Sequence, residues 1–189
     1  DILCLPNSAY GLVVGGGSWD SEITWDIVDS LGVVLASGGA PYDNDIYIGV
    51  PPPSPTLVVN EFLANSELCC DNGNGDSTDF IEIYNPGEEA VDIGGLWITD
   101  DLDSPAEWEQ IPATNSTLTT VAAGGFIVIW TDEQQATGGP LHTTDIKLSG
   151  DGEQIGLIYI SGTDTVFVDS LSFGAQTQDI SYGRDPDGS

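Results

Sequence analysis

Oxygen-rich side chains supply most of the chemistry this sequence offers. Asp71, Asn72, Asn74, Asp76 and Asp79 are interleaved with Gly73 and Gly75. A hard cation such as Ca²⁺ takes about six to eight oxygens from carboxylates, amides and carbonyls, and glycines let backbone oxygens turn inward. The order is not that of an EF-hand loop: Gly75 precedes Asp76, and no Glu closes the run. The same residue types also favour a solvated turn. Asp100, Asp101 and Asp103 form a second acidic group. These three carboxylates repel one another unless a cation or solvent intervenes, so they suit calcium, an open turn, or a helix start before Pro105. Calcium is the one cofactor these patterns suggest, with Asp71, Asn74, Asp76, Asp79, Asp100, Asp101 and Asp103 as its candidate ligands.

The usual catalytic groups are scarce. His142 is the single histidine, and no Ser or Cys sits in a nucleophile motif such as G-x-S-x-G. A structural His beside a strand is therefore the expectation. Among 31 acidic residues some carboxylate pair always falls at glycosidase separation, so such pairs carry no weight. No enzymatic activity is expected. Cys69 and Cys70 are adjacent, and α-carbons joined by one trans peptide lie about 3.8 Å apart. That is below the usual disulfide span of about 4.4–6.8 Å. The expected bond therefore joins Cys4 to Cys69 or Cys70, leaving one cysteine for another chain or for sequence beyond this one. Zinc is not expected with so few nitrogen and sulfur ligands. Asn115-Ser116-Thr117 is an N-glycosylation sequon, relevant where the source glycosylates.

Two Lys/Arg stand against 31 Asp/Glu, a formal charge of −29. Phosphate contacts need cationic side chains, and only Lys147 and Arg184 are present, so nucleic acid is excluded as a partner. Docking on anionic lipid fails for the same reason. No apolar run approaches the roughly 20 residues of a membrane span. At a Debye length of about 8 Å, evenly spread surface charge is tolerated, and salt or divalent cations relieve clusters. The balance suits a saline or calcium-bearing exterior, and equally an acidic secreted domain. The chain has no Met, so it reads as a processed protein or part of a longer one.

Glycine and proline together make 35 of 189 residues, which favours short strands and turns over helices. Pro51-Pro52-Pro53-Ser54-Pro55 favours extended polyproline II and cannot continue a central strand. It marks residues 51–56 as a linker between a small β-module, 1–50, and a larger unit, 57–189. In the first, Ile23, Trp25 and Ile27 alternate with Thr24 and Asp26, and strands are expected at 10–14, 22–28, 33–36 and 46–50. So short a module buries little core and needs a partner surface. In the second, strands are expected at 57–64, 80–84, 96–99, 126–130, 155–160, 165–173 and 180–182. Phe126 to Trp130 is apolar at every position, as a strand covered on both faces would be. No segment carries a 3.6-residue stripe, and strands at this spacing predict a β-sandwich.

Residues 57–189 resemble the lamin tail domain, an immunoglobulin-like β-sandwich. The resemblance is carried by Val59-Asn60-Glu61-Phe62, Asp79-Phe80-Ile81-Glu82-Ile83-Tyr84-Asn85-Pro86 and Val91-Asp92-Ile93-Gly94-Gly95-Leu96-Trp97-Ile98-Thr99-Asp100. Ala123-Gly124-Gly125-Phe126, Leu141-His142, Ile146-Lys147-Leu148-Ser149, Ser181-Tyr182-Gly183-Arg184 and Pro186-Asp187-Gly188-Ser189 follow in the family's order. With no coiled-coil rod, it looks like the versions in secreted or surface-attached proteins. The first 50 residues are similar to a small β-module of extracellular multidomain proteins, through Gly15-Gly16-Gly17-Ser18-Trp19-Asp20 and Val34-Leu35-Ala36-Ser37-Gly38-Gly39. The resemblance implies an adhesive, targeting or structural role.

The expected whole is an all-β protein, an immunoglobulin-like sandwich preceded by a small β-module. The expected function is a non-catalytic, secreted or cell-surface structural or adhesive module in a surface, matrix or filament assembly. The alternative is an accessory domain of a larger secreted enzyme. Open sheet edges and the apolar Ile2-Leu3-Cys4-Leu5 point to self or sister β-modules as partners, in a homo-oligomer or filament.

Overall fold

The structure is a computed structural model and describes residues 8–28, 34–48, 56–133, 140–161 and 164–189. The chain divides into two compact units, one comprising Asp1–Pro53 and Ser161–Asp164 and the other Ser54–Ile160 and Thr165–Ser189. Residues 29–33 between the second and third expected strands, the prolines 51–55, Cys4 and the Ile2–Leu5 segment lie outside the described residues.

The first unit holds β1 (Ser8–Val14), β2 (Thr24–Val28), β3 (Val34–Gly39) and β4 (Tyr42–Ile48). β1 pairs antiparallel with β4, and β2 with β3. Trp25 stands opposite Gly38. A Cβ at Gly38 would lie 2.6 Å from the indole Cζ2, so only glycine lets the ring lie across the strand. Tyr42 meets the same indole edge-on at 4.8 Å. None of the described side chains in this unit is fully buried, which is what about 50 residues with few large apolar side chains can achieve.

The second unit contains β5 (Val58–Leu63), β6 (Phe80–Tyr84), β7 (Val91–Asp92), β8 (Trp97–Thr99), β9 (Glu109–Gln110) and α1 (Ser116–Thr119). It continues with β10 (Thr120–Val121), β11 (Phe126–Trp130), β12 (Leu141–His142), β13 (Gly152–Ser161), β14 (Asp164–Gly174) and β15 (Tyr182–Gly183). One sheet has the order β12-β11-β6-β5-β15, the other β14-β13-β8-β9, and β7 and β10 form a short ribbon. This is an all-β, immunoglobulin-like sandwich. Alternation decides which side chains enter the core. In β6, Ile81 and Ile83 are fully buried while Phe80, Glu82 and Tyr84 face out. Phe62 and Ile129 from the same sheet join Ile98, Ile155 and Leu157 of the other in one apolar cluster.

Two details depart from the sequence reading. β11 lies between β12 and β6, yet only Ile129 is buried, and Phe126 is 46% exposed. Its outer face is not covered as its composition predicted. In β5, Val59 pairs with Ile83 and Glu61 with Glu82, so Asn60 is an inserted bulge residue.

Candidate functional site

The first acidic loop is built on Asx turns. Asp71 Oδ1 accepts the N–H groups of Gly73 (2.7 Å) and Gly75 (3.1 Å). Asn72, fully buried, accepts the N–H groups of Asn74 (2.9 Å) and Asp76 (3.3 Å). Asn72 Nδ2 donates to Asp132 Oδ2 at 2.8 Å, and the same carboxylate meets His142 Nδ1 at 2.9 Å. The side chains of His142 and Asp132 are 3% and 4% exposed. The chain's one imidazole therefore anchors β12 and, through Asp132 and Asn72, the loop after β5. It lies in a strand, β12, as expected.

Of the seven candidate calcium ligands, Asp71, Asp79 and Asp101 accept hydrogen bonds from the chain itself. Asp71 closes its own turn. Asp79 Oδ1 accepts the Ser66 N–H at 2.7 Å. Burial pushes the Asp79 carboxyl up, against the opposing pull of that N–H and of Lys147. Asn74 and Asp76 belong to the Asx turn through their amides. In the second group, Asp101 accepts the Asp103 N–H and the Ser104 hydroxyl. Asp100 and Asp101 lie near Glu153, whose carboxyl is raised chiefly by burial and further by those two charges. Among the described residues, no group of three or more His, Cys, Asp or Glu side chains is placed to hold one metal ion.

The disulfide is a correction. Cys69 and Cys70 bond to each other across a Cα separation of 3.8 Å, so neither joins Cys4. Cys70 adopts a left-handed φ of +66°, which turns the backbone sharply between the neighbouring side chains. The surrounding loop is fastened from outside. Asp179 Oδ1 accepts the N–H groups of Glu67 (2.8 Å), Leu68 (2.9 Å) and Cys69 (3.1 Å). Hydrogen bonds from Leu68 and Glu67 hold the Asp179 carboxyl down at about 2. Asn115 is exposed and caps α1 by accepting the Thr117 N–H.

Sequence reasoning missed a second anchor, at the bulge. Arg184 Nε donates to Val59 O at 2.9 Å and Nη2 to Asp169 Oδ2 at 3.0 Å; Nη1 donates to Ser189 O. Asp169 Oδ2 also accepts the Val59 N–H at 2.9 Å. Asn60 donates to Glu82 and Asp187 and accepts the Gly188 N–H. These pairs are separated by up to 128 residues, and no local spacing signals them. Beside them opens a cleft of about 440 Å³, lined by Phe62, Phe173, Tyr182 and Arg184 among others. Phe173 and Tyr182 flank Phe62 with ring centroids 4.4 and 5.8 Å away. The volume suits a small ligand, and the guanidinium donors in its wall are directed at the chain itself.

Among the described residues, no helix is long and apolar enough to cross a membrane. The fold and its anchors define an immunoglobulin-like module. A family model for the lamin tail domain matches residues 51–175, and the chain belongs to that family. No curated protein matches the chain. The family match stops before β15 and Arg184, which complete the edge of the five-stranded sheet.

Proposed function

We propose that this chain is a non-catalytic structural or adhesive module, secreted or held at a cell surface, that works within a matrix, surface or filament assembly. One observation carries the reading. The groups best suited to chemistry are committed to holding the fold: His142 to Asp132 and Asn72, Arg184 to Asp169 and Val59. What the sandwich offers outward is sheet surface with exposed apolar side chains, among them Phe126, Val166, Phe167 and Tyr182. Contact is the work such a surface does. Self or sister β-modules are the proposed partners, and open strand edges are the means. The charge of −29 opposes that contact, and salt or Ca²⁺ relieves it by screening. Calcium enters here as a counterion for assembly.

The cleft beside Arg184 supports a second reading, an accessory binding domain of a larger secreted enzyme. Sedimentation across ionic strength, with and without Ca²⁺, separates the two. The first reading expects larger species as salt or Ca²⁺ rises. A monomer under every condition overturns it and leaves the second.

A further inference from the structure

We propose that the outer face of the five-stranded sheet docks an extended, lysine- or arginine-bearing segment of another protein. The face is set by cross-strand register, since directly opposed residues share a side. Phe126 stands opposite Tyr84, Val128 opposite Glu82, and Trp130 opposite Phe80. Across β6 the rows continue to Val58 and Glu61, and the third ends at Leu63, which is fully buried, so the accessible part of the face lies on β6 and β11. The result is two aromatic rows with a carboxylate row between them. Tyr84 and Phe126 stack at 4.7 Å with a 27° tilt, and Phe80 meets Trp130 edge-on at 5.8 Å. Phe126 is 46% exposed, and both rings of the other aromatic row are partly exposed. The C-terminal turn lies against this face at Tyr84, where a Cβ on Gly188 would come 3.0 Å from the ring, and Phe126 of β11 is the most exposed residue of its strand.

Charge selects the occupant. Glu61 and Glu82 are directly opposed, and like charges in that position destabilise a sheet. Asp187 adds a third negative charge beside Glu82. Burial raises the Glu82 carboxyl, and Glu61 and Asp187 push it the same way. The chain holds only two basic residues: Arg184 is bound to Asp169 and Val59, and Lys147 acts on Asp79. A neutralising cation for this row has to come from outside. The spacing selects an extended segment. Successive rows lie two residues apart along a strand, or about 6.6 Å, the repeat of same-side side chains in an extended peptide. A basic side chain at the centre meets the carboxylates while its neighbours two residues away reach the rings. There a guanidinium or ammonium gains from the π faces.

The probe is a synthetic peptide with Arg or Lys at alternate positions, and its control replaces them with Glu. Amide chemical-shift mapping of the full chain should place the basic peptide on β5, β6 and β11. Phe126→Ala should weaken binding about two- to fivefold, the range of an exposed cation–π contact. Glu61→Gln with Glu82→Gln should weaken it by about tenfold or more, through loss of charge-assisted hydrogen bonds. Asp103→Asn with Glu107→Gln, on the other sheet's side, should leave it unchanged. Equal loss in that control pair would show general attraction to an acidic chain and overturn the proposal. So would the absence of basic-peptide binding at low salt, or shifts of the same residues on concentrating the protein alone, which would make a second copy the occupant.

Discussion

Replacing Asn85 removes a clamp whose weight follows from its geometry. Asn85 is fully buried just beyond β6. Its Nδ2 donates to the carbonyls of Glu89 (2.8 Å), Val121 (3.1 Å) and Ala122 (3.1 Å), and its Oδ1 accepts the Gly87 N–H (3.0 Å). One side chain thus ties the turn after β6 to the strand leading into β11. Asn85→Ala withdraws two N–H donors from a dry site. Each buried carbonyl left without a partner costs about 1–3 kcal/mol, so the loss is about 2–6 kcal/mol. With an m-value of about 2 kcal/mol per molar urea, the denaturation midpoint falls by about 1–3 M. Asn85→Asp sets a carboxylate against the same carbonyls and loses at least as much at neutral pH. Its folded-state pKa must rise above the unfolded value. That variant therefore regains stability as pH falls through the raised value, whereas Asn85→Ala does not. The assay is urea unfolding by tryptophan fluorescence at neutral and acid pH. Midpoints within about 0.3 M of the parent for both variants, or no acid recovery of the Asp variant relative to Ala, would refute the reasoning.

Three further outcomes are expected. His142→Ala leaves the buried Asp132 carboxylate without its ring partner; losing one partner of a buried hydrogen bond costs about 1–3 kcal/mol, read by urea unfolding, and Asp132→Asn in the same background should recover part of it. Asp179→Asn should be less stable than the parent above about pH 4, and the difference should shrink between pH 4 and about 2. The sign follows from a carboxylate whose folded pKa is depressed, so that its contribution is present above the unfolded value and lost as pH falls through the folded one; thermal melts across that range check it. Gly152→Ala should destabilise more than Gly174→Ala. Gly152 has φ +114° and its Cβ would meet Phe173 O at 2.8 Å, while nothing lies within 4 Å of a Cβ at Gly174; paired melting curves decide it.

How far the sequence reached is clear from particular residues. Ile81 and Ile83 alternate with polar or aromatic neighbours, so β6 and its buried face were legible. The uniformly apolar Phe126–Trp130 gave no sign of which face would stay open, because alternation is the only local cue to sidedness. β7, β9, β10 and β12 are two residues each, too short for any period to register. The lamin-tail pattern was visible in ordered segments, one of which includes Asn85. Its three carbonyl contacts involve residues up to 37 positions away and could not be read there. The acidic loops looked alike as cation ligands or as turns, since the same oxygens serve either purpose; the Asx bonds of Asp71 and Asn72 link residues two and four apart, and no residue type in the run dictates them. Adjacent cysteines argued against their own bond until a left-handed Cys70 was seen.

The most direct test of a contact-making, non-catalytic module is electron microscopy of the native material purified from its source, with the chain located by antibody. Ordered fibres or arrays bearing this chain along their length, loosened by chelator at low ionic strength, are the predicted result. Dispersed particles in which the chain is attached to a catalytic domain, unchanged by salt or chelator, would contradict it.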